Sequence, residues 1–533
     1  MTDQPAAPAS GVDAIVAAVR AGYAFNGPAV DLGALVTDGT AHADVPVRVP
    51  LEMINRHGLV AGATGTGKTK TLQLMAEQLS AAGVPVFLAD VKGDLSGMAS
   101  PGTPSDKTAA RASDVGQQWT PTSYPTEFYS LGGQGTGIPI RVTVTSFGPT
   151  LLAKVLELNP TQESSLGLVF HYADKAGLPL LDLKDLRAVV SYLVSDAGKA
   201  ELDGLGGLSK ATAGVILREL VAFQDQGAEV FFGEPELDTR QLLRSAPDGR
   251  GLVSILELPS VQDRPALFST FLMWLLADLF EDLPEVGDLD KPKLVFFFDE
   301  AHLLFNGASK DFLQAVTQTV RLIRSKGVGV FFVTQTPKDV PSDVLAQLGN
   351  RVQHALRAFT PDDAKALKAT VSTFPTSGYD LGSLLTQLGI GEAVVTVLSE
   401  RGAPTPVAWT RLRAPLSLMG PSDPGLIAGE VAASPLQAEY GTAVDRDSAY
   451  ERLSARLAVP AAAPSTPAPQ AAPAPAPDPG RTTASRAPKP EPSAAQEVAK
   501  AATPVVKAVA VAAATTLGRE IMRGLFGTAR KRR

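Results

Sequence analysis

The eight residues GATGTGKT, from position 62 to position 69, constrain the fold of this chain more than any other stretch. They fill every fixed position of the phosphate-binding pattern G-x-x-x-x-G-K-[ST]. In that pattern the glycines let backbone N–H groups point at the β-phosphate of a nucleoside triphosphate, and the lysine reaches the β- and γ-phosphates. The pattern predicts that Thr69 holds Mg²⁺ through its hydroxyl. The predicted nucleotide-binding residues are Gly62, Ala63, Thr64, Gly65, Thr66, Gly67, Lys68, Thr69 and Lys70.

The segments on both sides of this loop fit the same interpretation. Gly58–Ala61 is a short apolar run typical of a buried strand. Residues 71–80 carry Leu72, Met75 and Leu79 at helical spacing, which predicts a helix. The N-terminus of that helix faces the phosphates, where its backbone N–H groups and dipole favour an anion.

Composition narrows the class of protein without fixing its partner. With 44% hydrophobic and 19% charged residues, the 533-residue chain is expected to be globular, with two or more structural units. A net charge of -7 and a pI near 5.5 argue against a uniformly basic DNA-coating surface. Ring-shaped motors concentrate positive charge in a channel, however, so bulk charge neither supports nor excludes nucleic-acid binding.

The numbers of cysteines and histidines exclude several kinds of site, and the lengths of the apolar runs bear on membrane association. There are no cysteines, which excludes disulfides, thiolate metal sites and cysteine nucleophiles, and fits a cytoplasmic protein. The five histidines form no pair at metal-ligand spacing, so we expect no structural zinc. The N-terminus lacks the pattern of a secretory signal, and no apolar run approaches the roughly 20 residues that span a bilayer. We therefore expect a chain that starts at Met1 and has no integral membrane association.

Alternating strand and helix patterns predict an α/β fold with a central, mainly parallel sheet. Predicted strands follow the phosphate loop at 84–90, 252–258, Leu294–Phe298, 328–333 and 351–356, with a final hairpin at 393–398 and 406–412. The expected division is an N-terminal segment with a small β element (1–50), a first core part (51–147), a helical insertion (148–245), a second core part (246–415), a helical extension (416–459), a disordered Pro/Ala-rich linker (460–495), and an amphipathic helix with a basic end (496–533).

Two carboxylates come directly after the apolar strand Leu294–Phe298, the arrangement called Walker B. Asp299 is expected to bind Mg²⁺ through its water shell, and Glu300 to polarise the water that attacks the γ-phosphorus. Such a pair is weak evidence alone but strong beside a phosphate loop in one α/β domain. His302 either contacts the site or, as we expect, lies at the start of a helix and packs beneath the sheet.

Two further strand ends carry polar residues at the edge where open parallel sheets bind ligands. Gln335 follows the strand at 328–333 and is predicted to be a sensor of the γ-phosphate or of the attacking water; the alternative is a simple strand exit. Asp90, Lys92 and Asp94 follow the strand at 84–90. They lie either near the nucleotide or the translocation path, or in an ordinary polar turn.

Phosphoryl transfer also gains from an arginine placed against the γ-phosphate, often by a neighbouring subunit. The candidates in this sequence are Arg56, Arg321, Arg324 and Arg351. Each is equally compatible with an ordinary surface or ion-pairing role. The residues alone do not choose among them.

The ordered set of motifs resembles the HerA-like branch of the HerA-FtsK superfamily of P-loop ATPases, and in particular its bacterial HerA-like proteins, over about residues 45 to 415. The resemblance rests on NRHG at 55–58 before the phosphate loop, DVKGD at 90–94, FDEAH at 298–302 and VTQ at 333–335. It implies a RecA-like P-loop NTPase core with an additional strand and a catalytic glutamate, ATP and Mg²⁺ as ligands, and homo-hexameric rings that hydrolyse ATP between subunits. By position, Arg56 and Arg324 are similar to the arginines that complete the family's intersubunit site.

Both ends of the chain depart from known members of that superfamily. Archaeal members carry a small β-barrel ahead of the motor that docks a nuclease, and 50 residues allow at most a reduced version. FtsK-type members carry a winged-helix DNA-reading domain after the core, which the proline-rich tail does not resemble. Nuclease partnership and sequence-directed translocation are therefore not predicted.

The leading hypothesis is an ATP-hydrolysing ring motor that translocates DNA. The alternatives are an ATPase that couples to protein transport, and a nucleotide-gated scaffold that recruits a protein partner through the C-terminal helix. That helix could instead dock on its own ring, on nucleic acid or on anionic lipid, or the segment could be a solvated tail.

Overall fold

A computed structural model of the protein describes residues 11–202, 206–261, 264–305 and 310–458. The predicted linker at 460–495 and the predicted helix at 496–533 lie outside the described residues. None of the helices in the described ranges is both long enough and apolar enough to cross a bilayer.

The described residues form one twelve-stranded sheet with helices on both faces. Its strand order is β2-β1-β12-β11-β10-β3-β9-β8-β4-β7-β5-β6. The strands are β1 (Ala29–Thr37), β2 (Thr40–Pro50), β3 (Gly58–Ala61), β4 (Val86–Asp90), β5 (Thr126–Leu131), β6 (Ile138–Ile140), β7 (Val253–Glu257), β8 (Leu294–Phe298), β9 (Val328–Thr334), β10 (Asn350–Gln353), β11 (Glu392–Thr396) and β12 (Ala408–Leu412).

The strands from β10 to β6 in this order are all parallel, and the four strands at the other end are antiparallel. This confirms the predicted α/β class and the mainly parallel sheet. The strand β9 lies between β3, which precedes the phosphate loop, and β8, which precedes Asp299. It therefore occupies the place of the additional strand that the resemblance implies.

Helices cover both faces of the sheet, and their bounds are α1 (Gly11–Gly22), α2 (Lys68–Ala81), α3 (Asp106–Asp114), α4 (Val144–Val155), α5 (Pro160–Lys175), α6 (Leu183–Leu193), α7 (Lys210–Asp225), α8 (Pro265–Asp282), α9 (His302–Phe305), α10 (Lys310–Ile323), α11 (Ser342–Leu345), α12 (Pro361–Val371), α13 (Leu381–Gln387), α14 (Pro424–Ala433), α15 (Pro435–Tyr440) and α16 (Ala449–Ala458). Helices α4 to α7 lie between β6 and β7, in the region expected to be a helical insertion. Helix α16 packs on α6, so the segment after the last strand returns to that region.

Strand β8 shows why the central strands read as continuous apolar runs. All five of its residues are buried, because both faces of the sheet are covered. Successive side chains point to opposite faces, so Phe296 joins one large apolar cluster and Phe297 joins the other. Phe297 also stacks on Phe331 of β9, with ring centroids 5.2 Å apart. Such contacts stabilise the central strands whose ends carry the site.

The small β element expected ahead of the core is part of the core sheet. Residues 45–49 fall in β2, which pairs with β1, and β1 pairs with β12 at the antiparallel edge. The sequence pattern missed β1 because Gly33 interrupts its apolar run. A glycine is required there, since a Cβ atom at this position would lie 2.0 Å from the carbonyl oxygen of Arg411 on β12.

Candidate nucleotide-binding site

Residues 62–67 connect β3 to α2 in a tight loop that depends on its glycines. Gly67 has φ +113°, a conformation that residues with a Cβ rarely adopt. Gly62 approaches the neighbouring strand so closely that a Cβ atom would lie 2.4 Å from Cβ of His354. The loop is tied to its neighbours by backbone hydrogen bonds from Ala63 N to Ala355 O (2.8 Å) and from Gly391 N to Thr66 O (3.0 Å).

Lys68 begins α2 and bends back into the loop. Its Nζ donates to the carbonyl oxygens of Gly62, at 2.7 Å, and of Ala63, at 3.2 Å. Burial lowers the pKa of Lys68, while the negative charges of Glu300 and Asp299 oppose that shift. The ammonium group is thus held on the side of the loop that faces the two carboxylates. Thr69 follows on the first turn of the helix and is half-buried.

Asp299 follows β8 and is buried, with 6% of its surface exposed. Its Oδ1 accepts a hydrogen bond from the backbone N–H of Glu300 (2.9 Å), whereas its Oδ2 is buried with no hydrogen-bond partner among the described residues. Burial, and then the negative charge of Glu300, raise the pKa of Asp299 to about 7. An unpaired buried oxygen costs on the order of 1–3 kcal/mol. A hydrated cation would satisfy it, so this residue fits the Mg²⁺ role predicted from the sequence.

The described residues contain no group of three or more His, Cys, Asp or Glu placed to hold a metal ion. A Mg²⁺ ion at an NTPase site does not require one, because it is bound by one or two protein groups together with waters and substrate phosphates. Asp299 and Thr69 provide a donor set of that size.

Glu300 lies beside Asp299 in an unusual backbone conformation, with φ +48°. Only 11% of its side chain is exposed, and its Oε1 lies 2.6 Å from Nζ of Lys92. Its Oε2 lies 3.3 Å from Nδ1 of His302. His302 begins α9, as expected, and of the two positions left open for it the contact with the site is the one observed. The left-handed conformation at Glu300 turns the chain at the start of α9 and brings the imidazole beside the carboxylate.

The sequence left two interpretations open for the loop after β4, a position near the nucleotide or the translocation path and an ordinary polar turn, and its residues differ in which of them they fit. Asp90 is fully buried and accepts hydrogen bonds from the N–H groups of Lys92 (3.1 Å), Gly93 (2.7 Å) and Leu95 (2.8 Å). Burial raises the pKa of Asp90, which those hydrogen bonds oppose. Asp90 thus forms the polar turn, whereas Lys92 reaches the carboxylate of Glu300.

Gln335 follows β9 and is exposed at the same edge of the sheet as Lys68 and Glu300. The residue before it, Thr334, is fixed by a hydrogen bond from its hydroxyl to Asp339 (2.8 Å). The predicted sensor residue therefore extends from a well-held strand end. Its role stays a prediction.

The candidate arginines lie elsewhere. Arg56, Arg321 and Arg324 line a cavity of about 830 Å³ at the opposite edge of the sheet, where β3 and β9 begin. Arg56 donates to Asp288 (3.3 Å). Arg56 and Arg324 line the same cavity, and burial, and then the positive charge of Arg56, lower the pKa of Arg324. A strand of four to seven residues is roughly 13–23 Å long, so neither arginine reaches the phosphate loop of its own chain.

Arg351 is separate from this group. It lies on β10, its Nη1 donates to Thr373 O (3.4 Å), and burial lowers its pKa. It does not line the cavity that holds Arg56 and Arg324.

A second cavity, of about 510 Å³, adjoins the phosphate loop and was not predicted from the sequence. Gly65 and Thr66 form one wall, and Arg357, Phe359 and Ile390 contribute to the others. Phe359 is 82% exposed and Ile390 is 75% exposed, although both side chains are apolar. The loops after β10 and before β11 thus present exposed apolar groups beside the loop that is expected to hold the phosphates.

His354 is also a site residue that sequence reasoning missed. It is fully buried one residue after β10, and its Nε2 lies 2.9 Å from Oγ1 of Thr71. Burial, and then the positive charge of Lys68, lower the pKa of His354 to about 4, so the ring is neutral near pH 7. The signal that could have found it is the one used for Gln335, a polar residue at the carboxyl end of a buried parallel strand.

Several known proteins are similar to this chain. The family described as Helicase HerA-like C-terminal matches residues 36–533. The DNA double-strand break repair helicase HerA of Sulfurisphaera tokodaii is 22% identical over 380 residues, which are 68% of this chain and 68% of that protein. The probable helicase MJECL08 of Methanocaldococcus jannaschii is 30% identical over 150 residues, 27% of this chain and 28% of that protein. The plasmid coupling protein TrwB in complex with ADP and Mg²⁺ aligns with a TM-score of 0.47 and 17% identity, covering 74% of this chain and 100% of that one.

Proposed function

Because the chain belongs to the helicase HerA-like C-terminal family, we propose that it is an ATP-hydrolysing ring motor that translocates DNA. This membership confirms the resemblance drawn from the ordered motifs. The observation that carries the proposal is the position of two strand ends. The phosphate loop follows β3 and the pair Asp299 and Glu300 follows β8, and only β9 separates these parallel strands.

In the proposed site the N–H groups of residues 62–67 and the ammonium group of Lys68 bind the phosphates of ATP, with Lys70 beside them. The hydroxyl of Thr69, and Asp299 through water, hold Mg²⁺, which supplies positive charge to the β- and γ-phosphate oxygens. Glu300 orients a water molecule and accepts its proton as the water oxygen bonds to the γ-phosphorus and ADP leaves. Gln335 contacts the γ-phosphate or that water.

We further propose that Arg56 and Arg324 act on the site of a neighbouring subunit in a homo-hexameric ring. Their location at the opposite edge of the sheet from Lys68 supports this arrangement, because a ring that repeats one interface brings opposite edges of two subunits together. An arginine supplied in this way stabilises the charge on the transferring phosphoryl group.

The cavity beside the phosphate loop is proposed to hold the nucleobase. It adjoins Gly65 and Thr66, and the ring of Phe359 offers an exposed apolar surface on which a flat base can stack. The groups that line it would therefore contribute to affinity for the whole nucleotide rather than for its phosphates.

The test of the proposed function is the rate of ATP hydrolysis by the purified full chain with and without duplex DNA, single-stranded DNA and RNA, together with its mass by light scattering with and without ATP. We expect an ATP-dependent hexamer whose turnover rises with duplex DNA. Stimulation by a protein but not by DNA would replace translocation of DNA with protein transport. Very slow hydrolysis in a stable ATP-bound ring would favour the scaffold. A cytoplasmic location remains a prediction.

A further inference from the structure

The ion pair between Lys92 and Glu300 is not explained by the proposed reaction. The reaction needs Glu300 as an acceptor of a proton from water, yet in this structure Oε1 of Glu300 lies 2.6 Å from Nζ of Lys92. Oε2 is buried at 3.3 Å from His302. A base must bring a free lone pair within about 2.6–3.2 Å of the water oxygen whose proton it accepts. The ammonium group competes with the attacking water for that oxygen.

The backbone at Lys92 is held firmly. The buried carboxylate of Asp90 accepts hydrogen bonds from the N–H groups of Lys92, Gly93 and Leu95. Gly93 has φ +76°, and a Cβ atom there would lie 3.3 Å from Pro259. The backbone of Lys92 is therefore fixed, so any change in the ion pair comes from movement of the long, flexible Lys92 side chain.

The two members of the pair differ in their access to solvent. The side chain of Lys92 is 49% exposed, whereas that of Glu300 is 11% exposed. Partial burial alone would lower the pKa of Lys92. The hydrogen bond with Glu300 and the nearby negative charges outweigh this effect and raise the pKa of Lys92, so its amine is charged. Ion pairs with a half-exposed member are weak, because water competes for the charge. Lys92 is therefore the member that can leave, and an anion from solution can reach it.

We propose that Lys92 is a positioning residue that restrains Glu300, and that a backbone phosphate of bound DNA draws the Lys92 ammonium group away and frees Oε1 for the attacking water. This inference rests on the proposed function. It gives the motor a direct link between its polymer and its hydrolytic base, because duplex DNA presents about one negative charge per 1.7 Å of its axis to a lysine that reaches it. The link needs no movement of the sheet.

The test compares the full-length wild type with Lys92→Met and Lys92→Arg. Lys92→Met keeps the length of the stem but removes the charge, and Lys92→Arg keeps the charge. Lys175→Met serves as the matched control, because Lys175 is an exposed lysine at the end of α5, in the helical region. The measured quantities are kcat and KM for ATP without DNA and with saturating duplex DNA.

We expect Lys92→Met to raise kcat without DNA by at least about threefold, since a freed base speeds proton transfer, and to bring the stimulation by DNA close to onefold. Its KM for ATP should stay within about twofold of the wild type, because Lys92 acts on the base rather than on binding. Lys92→Arg should retain stimulation by DNA, and Lys175→Met should behave as the wild type. A lysine that only stabilised the fold would lower kcat in both conditions and leave their ratio unchanged.

Lys92→Met with the wild-type kcat without DNA, or with undiminished stimulation, would overturn this role for Lys92. If this variant does not fold, as judged by thermal unfolding, Lys92→Gln is interpreted by the same criteria. A wild type that does not hydrolyse ATP would instead contradict the proposed function. The ATPase activity of the wild type alone therefore distinguishes a failure of the proposed function from a failure of the role proposed for Lys92.

Discussion

Nε2 of His354 lies 2.9 Å from Oγ1 of Thr71, and this contact joins the end of β10 to the first turn of α2 across the phosphate loop. The buried ring also fixes how close the loop can come to the sheet, because Gly62 packs against its Cβ atom. The shape of the loop is therefore set by a residue almost 300 positions away in the sequence as well as by its own glycines.

The first prediction follows from that packing. Gly62→Ala places a Cβ atom 2.4 Å from Cβ of His354, which lies too close to its backbone to move aside. We expect the loop to shift and the affinity for ATP to fall at least about tenfold, equal to about 1.4 kcal/mol. Titration calorimetry with a non-hydrolysable ATP analogue measures this. Gly167→Ala is the control, because a Cβ on Gly167 meets nothing within 4 Å. An unchanged affinity in Gly62→Ala would contradict the prediction that the packing of Gly62 on His354 sets the affinity of the loop for ATP.

Glu300→Gln tests the proposed base. The amide keeps the size of the side chain but cannot accept a proton, so kcat should fall by about 10²–10⁴-fold while ATP still binds. Steady-state hydrolysis and a filter-binding measurement with ATP separate the two effects. Glu439→Gln, which changes an exposed glutamate of α15, should leave both unchanged. Wild-type turnover in Glu300→Gln would exclude Glu300 as the base.

Mixing two inactive variants tests whether the arginines act between subunits. Arg324→Ala and Glu300→Gln should each lose most of the ATPase activity, since such an arginine contributes about 10³–10⁵ in kcat. In a mixed ring, an Arg324→Ala subunit that keeps Glu300 receives Arg324 from a Glu300→Gln neighbour, and that interface is complete. We therefore expect activity to return on mixing. A mixture that stays inactive, although light scattering shows mixed rings, would contradict action in trans.

Phe359→Ala tests the proposed nucleobase cavity. The side chain is 82% exposed, so its removal should not disturb the core. Loss of stacking, worth about 1–3 kcal/mol per base, should raise KM for ATP about tenfold at an unchanged kcat. Inhibition by tripolyphosphate, which has no base, should be the same in the variant and the wild type. Val221→Ala, at another exposed apolar position, is the control. An equal KM in Phe359→Ala would place the base elsewhere.

Patterns within short segments predicted much of the fold. Strand β8 was predicted with its observed bounds, Leu294–Phe298, because its buried apolar run ends at two carboxylates. The hairpin of β11 and β12 was also confirmed as an antiparallel pair. Its strands are shorter than expected, because the apolar pattern continues past the last paired residues. The roles assigned to Lys68, Asp299 and Glu300 remain predictions, since geometry brings these residues together without testing their chemistry.

Contacts between distant segments could not be predicted in the same way. Lys92 and Glu300 are 208 positions apart, and their contact depends on β4 lying next to β8 in the sheet. The position of His302 depends on a single positive φ at Glu300, which the residue type does not favour. The cavity that contains Phe359 forms where two loops meet, so no single segment carries its pattern.

The last prediction concerns the dependence of stability on pH. Glu257 ends β7 with Oε1 buried and without a hydrogen-bond partner in the described part of the chain. Burial, and then the negative charge of Asp90, raise its pKa from 4.5 to about 8. Between these two values the folded protein keeps a proton that the unfolded chain has released. The contribution of Glu257 to the free energy of unfolding therefore falls as the pH rises through this window, and is smallest above about pH 8.

Glu257→Gln removes this titration while keeping the shape of the side chain. We expect the variant to gain stability relative to the wild type as the pH rises from about 5 to about 8.5, because only the wild type must ionise a buried carboxyl group. Urea unfolding followed by circular dichroism at both pH values measures the difference. Glu219→Gln, at an exposed position on α7, should show no such trend. A constant difference between Glu257→Gln and the wild type across this range would mean that Glu257 ionises at the same pH in the folded and unfolded chain, and that the turn formed by Asp90 does not isolate it from water.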